Sequence, residues 1–242
     1  MLTIREAMEA FIAGWVHARR MERTITVGDF HGMPHLSFSG APELRQRYDE
    51  LMILDRAADD VVGRVRPAFA GIHHLLNVFT TEPEQAVIDY GRHDYHVESR
   101  EYLMAIDLRT AGIVAPDYVA VGQIVSETER VWFNTARERE VIPARALGDE
   151  RLGYFYIRFG DDLACEGRCA ITEPNIALID SVYTAKSYRR RGLGSALMSA
   201  ILADAAAKGA DYSVLVASED GRKLYLTLGY EVLADLVIFE AD

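Results

Sequence analysis

Apolar residues at Ile4, Met8, Phe11, Ile12 and Trp15 recur at intervals of three and four, which predicts an amphipathic helix over about residues 2–20 with one buried face. The alternation in TITVGDFHGMPHLSFS, residues 24–39, predicts a β-hairpin turning at Gly32-Met33-Pro34. A helix near residues 55–65, a strand in HHLLNVFT (73–80), a helix opened by Thr81 and Pro83, and a strand in REYLMAIDL (100–108) complete a first α/β segment. RTAGIVAPDY, with Gly112 and Pro116, reads as a linker. Beyond it SETERVWFNTARER (126–139) predicts a helix, and RLGYFYIRFGDDLACEGRCAI (151–171) two strands joined at Gly160-Asp161-Asp162. NIALIDSVYT (175–184) is a strand. A stripe of Leu193, Leu197, Ile201 and Ala205 is a helix that stops at Gly209. SVLVAS is a buried strand, GRKLYLTL a helix closed by Gly229, and YEVLADLVIFE two short strands. No exact repeat is visible, although both halves mix strands and helices in similar amounts.

With half of its 242 residues hydrophobic, the chain can bury a substantial core. The formal net charge of −11 gives no overall attraction to phosphate backbones or anionic lipid, so neither a nucleic acid nor a membrane is expected as a partner. Arg5, Glu6 and Glu9 interrupt the apolar pattern of the N-terminal helix, which therefore reads as neither a signal peptide nor a membrane span, and a cytoplasmic protein is expected. Cys165 and Cys169 fall on one face of a strand about 13 Å apart, too far for a bridge; they read as small buried hydrophobes. His73-His74 and His93-x-x-His96 lack a third ligand at metal-binding spacing and read as surface or packing residues, so no metal is expected.

The chemistry concentrates in YRRRGLGSALMSA, residues 188–200, where a strand runs through an arginine- and glycine-bearing turn into a helix. Free backbone N–H groups of residues 190–195 collect there at a positive helix N-terminus, which makes an anion site. Gly192 and Gly194 would let a phosphate approach the backbone, and Arg189, Arg190 and Arg191 add permanent charge. There is no G-x-x-x-x-G-K-[ST] here, and Leu197 occupies the third glycine position of G-x-G-x-x-G, so a P-loop and a dinucleotide turn both lose support.

Arg189-Arg190-Arg191-Gly192-Leu193-Gly194 instead fits Arg-x-x-Gly-x-Gly after a strand bearing Val182 and Thr184, and this resembles the GNAT superfamily of N-acetyltransferases. A second signature about thirty residues on, SVLVASEDGRKLYLTLGYE, is similar to the family's strand and short helix carrying Leu224-Tyr225 and ending in Gly229-Tyr230. The resemblance covers about residues 110–242 and implies an α/β (α+β) GNAT fold, a mixed, mostly antiparallel sheet flanked by helices. It implies acetyl-CoA as cofactor, with the pyrophosphate on the N–H groups of Arg190, Arg191, Gly192, Leu193, Gly194 and Ser195, beside Arg189. The pantetheine arm would pair with Val182, Tyr183 and Thr184. Ser218 stands where the family often has a cofactor-touching asparagine, with helix N-cap as its alternative, and Gly221 where it often has alanine.

Transfer to an amine needs a neutral nitrogen, a polarised thioester carbonyl and a proton for the departing thiolate. Tyr225 matches the family's general acid, with a core aromatic as the alternative. Asp180, read as sharing a face with Leu178 and Val182, is a candidate base, with a water chain or a structural carboxylate equally open. The resulting expectation is an N-acetyltransferase acting on a primary amine of a small molecule; a non-catalytic acyl-CoA sensor and a protein N-acetyltransferase are the alternatives. Residues 1–109 resemble the degenerate leading half of tandem members of the superfamily, followed by the acetyltransferase domain at 110–242. That first segment is expected to bind no cofactor and to wall the acceptor pocket or supply a subunit contact, as in a homodimer.

Overall fold

A computed structural model describes residues 2–22, 24–39, 48–114 and 117–241. The elements are α1 (Ile4–Arg19), β1 (Thr24–Phe30), β2 (Met33–Ser39), β3 (Tyr48–Leu54), α2 (Ala58–Ala68), β4 (His73–Thr80), α3 (Pro83–Gly91) and β5 (Tyr95–Asp107). There follow β6 (Gly122–Gln123), α4 (Glu127–Ala136), β7 (Leu152–Phe159), β8 (Asp162–Thr172), β9 (Ile176–Thr184), α5 (Leu193–Ala207), β10 (Tyr212–Ala217), α6 (Glu219–Thr227) and β11 (Glu231–Ala241). The strands of the described residues form one mostly antiparallel sheet in the order β1-β2-β3-β4-β11-β5-β10-β9-β8-β7-β6.

The two halves repeat one plan. In each, three antiparallel-linked strands lead through a helix to a parallel neighbour: β3 to β4 through α2, and β9 to β10 through α5. A short helix then leads to a last long strand, and here the halves exchange partners. β5, from the first half, pairs with β10 of the second, while β11, the last strand of the chain, pairs with β4 of the first and with β5.

Side-chain alternation separates the two faces of this sheet. Met104 and Ile106 of β5 pack with Leu197, Ile201 and Tyr225 of α5 and α6. Leu103 and Ala105 point the other way, into a core with Met8 and Ile12 of α1, Leu178 and Leu236. The helix α1 lies very close to β9: a Cβ on Gly14 would stand 2.5 Å from Leu178 Cβ. Its N-terminus is closed by a capping box between Thr3 and Glu6, and Ser126 and Glu129 close α4 in the same way.

Several elements differ from the expectations. The hairpin turns at His31-Gly32, both at positive φ, so that Met33 and Pro34 already belong to β2. The helix expected at 55–65 begins at Ala58, because Asp55 takes φ 57° and the strand before it runs to Leu54. β3 has no counterpart among the expected elements. YEVLADLVIFE is a single strand, not two: register shifts at Val232/Ala234 and Ile238/Phe239 break its alternation without ending its pairing. In the expected linker Gly112 lies in irregular chain, and Pro116 falls outside the described residues. Both cysteines are free and buried.

Candidate active site

β9 and β10 are hydrogen-bonded in parallel only from Ile176 to Leu178 against Tyr212 to Val214. Beyond that point they diverge, leaving Ile179–Thr184 on one side of a split and Leu215–Ala217 on the other. A bulge deepens the split: Glu166 opposes Tyr183 and Arg168 opposes Asp180, so β9 holds an extra residue there, with Ser181 at φ 55°. The bulge also corrects one expectation. Leu178 packs on the α1 side, but beyond Ser181 the alternation is reset, so that Val182 and Thr184 face α5 while Asp180 faces Arg168 and Glu22.

A cleft of about 830 Å³ opens along this split. It is lined by Asp180, Val182, Tyr183 and Thr184 of β9, by Arg189, Arg190, Gly192, Leu193, Gly194 and Ser195 of the turn, and by Ser218 and Tyr225. The structure thus brings nearly all the residues singled out in the sequence to one cavity. Arg191 is outside it; its guanidinium donates to Ser187 O at 2.9 Å and lies over the Tyr188 ring. Arg189 Nε donates to Thr184 O at 3.0 Å, which ties the turn to the strand before it. Arg190 alone of the three extends its side chain without a bond to any described residue.

Gly192, at φ 76° and ψ 1°, begins α5 in the left-handed region, where a side chain costs about 1–2 kcal/mol. The amides of Leu193, Gly194 and Ser195 are the first of the helix and have no intrahelical acceptor. The Leu193 side chain is in the core, so this residue can offer a ligand only its backbone. Gly194 has a packing reason as well: a Cβ there would meet Leu224 Cδ2 at 3.2 Å.

On α6, Ser218 is the N-cap, its Oγ accepting from Gly221 N at 3.2 Å, while it also lines the cleft. The Tyr225 ring is buried against Tyr230, and burial, with Cys165 nearby, pushes its hydroxyl up to about 12. The Thr184 hydroxyl is engaged with Cys165 Sγ at 3.1 Å. Asp180 is held at both oxygens by Arg168, from Nε at 2.7 Å and from a terminal nitrogen at 2.6 Å, and Arg168 also binds Glu22.

Four further residues line the cleft from the first half of the chain: Phe11, Trp15 and Arg19 of α1, and Glu101 of β5. Burial raises the Glu101 carboxyl above the usual range. In REYLMAIDL this glutamate looks like an ordinary outward position of a strand; only the exchange of β5 into the second half's sheet brings it to the site.

The histidines lie elsewhere. His74 is buried, bonded to Ile72 O and the Tyr95 hydroxyl. His96, Glu98 and Glu240 place ligand-type atoms within 4.8 Å of one another at the surface, with His73 Nε2 2.5 Å from Glu240 Oε1. Spacing could not reveal that group, because Glu240 comes from the last strand. None of the four lines the cleft.

A mixed sheet split between two parallel strands, with a helix N-terminus at the mouth of the split and a tyrosine on the following helix, forms one continuous cleft in an α/β fold. Residues 113–230 match the acetyltransferase (GNAT) family and form a GNAT domain, built on that family's acetyl-CoA-binding fold. A GCN5-related N-acetyltransferase from Kribbella flavida superposes with a TM-score of 0.68 at 19% identity, over 100% of this chain and 96% of its own. A tandem GNAT protein from the clavulanic acid biosynthesis pathway gives 0.62 at 15% identity, over 97% and 92%. A GCN5-related N-acetyltransferase from Sphaerobacter thermophilus gives 0.61 at 15%, over 85% and 76%. The likeness is one of fold, and in the first two it spans both halves. No curated protein matches the chain. No helix among the described residues is long and apolar enough to cross a membrane.

Proposed function

We propose that the protein is an N-acyltransferase that moves an acetyl group from acetyl-CoA to a primary amine of a small molecule. The observation that carries this reading is the continuity of one cleft from the arginine-glycine turn, along the divergent strand edge, to Tyr225. Acetyl-CoA, when bound, supplies an acyl thioester activated for attack by an amine.

The chain's own residues fit such a ligand. The amides at the start of α5 and the Arg190 guanidinium receive the pyrophosphate. The Val182–Thr184 edge, unpaired toward β10, offers backbone groups to an extended amide-bearing arm and to the thioester carbonyl. Tyr225, kept protonated by burial, holds a proton for the departing thiolate. The apolar Phe11 and Trp15 in the cleft wall favour a small acceptor with an apolar body over an extended basic polypeptide.

Calorimetric titration with acetyl-CoA tests the binding half of this reading. Micromolar affinity is expected for the wild type, with pantetheine lacking the pyrophosphate much weaker. Gly192→Glu places a negative side chain at the turn and is expected to abolish binding; retained affinity would remove the turn from the cofactor site.

A further inference from the structure

Three carboxylates of the sheet lie around the split. Asp180 is held by Arg168. Glu166, in an adjoining cavity of about 500 Å³, is held by Arg137 at 3.3 Å. Glu101 is different: its carboxylate makes no hydrogen bond or ion pair with any described residue, yet it is half-buried. A carboxylate kept partly from water without a cation is costly, and an incoming cation would relieve that cost.

Register places Glu101 on the cleft wall, just past the end of β10. It stands directly opposite Leu236, which stands opposite Phe79, and the neighbouring β10 ends at Ala217, opposite Tyr102, just before Ser218. Above this row lie Phe11 and Trp15, one helical turn apart, with their ring centroids 6.4 Å apart. Phe11 also contacts the Phe79 ring, and Trp15 is fixed between the Phe38 ring and the Arg19 guanidinium. A lone carboxylate beside a rigid aromatic wall matches a cationic amine carried on a flat or aliphatic apolar body.

We propose that Glu101 receives the acceptor's ammonium group and takes its proton, and that the acceptor is an arylalkyl or alkyl primary amine seated on Phe11 and Trp15. This rests on the acyl-transfer reading above. The ammonium gives one proton to the Glu101 carboxylate, and the freed lone pair forms the C–N bond as the C–S bond breaks. The thiolate takes the Tyr225 proton, the second proton lost from nitrogen restores the tyrosine, and the first passes from Glu101 to solvent. The other charged or titratable groups facing this cavity are Arg19 of α1, Asp180 and Tyr183 of β9, Tyr188, Arg189 and Arg190 before α5, and Asp220 and Tyr225 of α6. None of these groups makes a hydrogen bond or ion pair with the Glu101 carboxylate, and burial raises it.

The test separates the amine site from the cofactor site. Calorimetry with 2-phenylethylamine alone, without cofactor, is expected to show binding that Glu101→Gln weakens at least tenfold while glucosamine binds poorly; no binding, or equal binding by both proteins, overturns the proposal. Thiol release from acetyl-CoA with 2-phenylethylamine is expected to fall about a hundredfold in kcat/KM in Glu101→Gln, with acetyl-CoA affinity within twofold of wild type. A wild-type rate in that variant overturns the role as proton acceptor. Failure of the wild type to bind acetyl-CoA would instead sink the acyl-transfer reading, and amine binding alone would still decide the Glu101 site. Trp15→Leu, expected to weaken 2-phenylethylamine at least fivefold, reports on the aromatic wall without touching the charge.

Discussion

At the scale of single residues, Tyr225 and Asp180 show how one cleft gives similar groups different work. Tyr225 has a hydroxyl pushed up to about 12 by burial and free of any hydrogen bond to a described residue. It therefore stays protonated through the neutral range and loses its proton only as pH rises toward that value. Tyr225→Phe is expected to lower kcat about a hundredfold while acetyl-CoA affinity changes less than twofold, as measured by thiol release and calorimetry. Asp180, locked bidentately to the buried Arg168, is a structural partner first. Asp180→Ala is expected to destabilise the fold by about 3 kcal/mol, because it strips one of the carboxylates from a buried guanidinium, and chemical denaturation would read this. A loss of activity without a loss of stability would return Asp180 to the chemistry.

The elements show what patterning reveals and what it hides. α1 and α5 were legible because their apolar stripes recur at the helical period, and the Arg-x-x-Gly-x-Gly turn because its glycines and arginines are contiguous. β11 reads as two strands in sequence because its bulges interrupt the alternation that marks a strand. The reversal of Val182 relative to Asp180 was hidden for the same reason, since an extra residue at Ser181 leaves no trace in composition. The Cβ-free contact of α1 with β9 is equally silent in sequence. Gly14→Val is expected to cost about 3 kcal/mol and to lower Tm by roughly 5–10 °C in a calorimetric scan, because the helix must lift off Leu178. That shift would also move Phe11 and Trp15 from the cleft wall.

For the whole molecule, the exchange of final strands ties the halves together more closely than a linker implies. β5 fills the space between β10 and β11, and α1 covers β8, β9 and β10. Residues 110–242 expressed alone would leave β10 and β11 without their shared neighbour and would uncover the α1 face of the core. Such a fragment is expected to be insoluble or to lack cooperative melting, and a soluble fragment with a sharp transition would count against this account. The sequence could not disclose the exchange, because β5 and β11 are both long strands that follow a short helix, and either could have completed either half.

The position of β11 also bears on how the chain comes into being. Eleven residues near the very end of a 242-residue chain occupy the middle of the sheet, between β4 and β5. Until they emerge from the ribosome, those two strands present open edges. Loss of residues 231–241 would then remove not an edge but the keystone, leaving β4 and β5 without the strand that joins them.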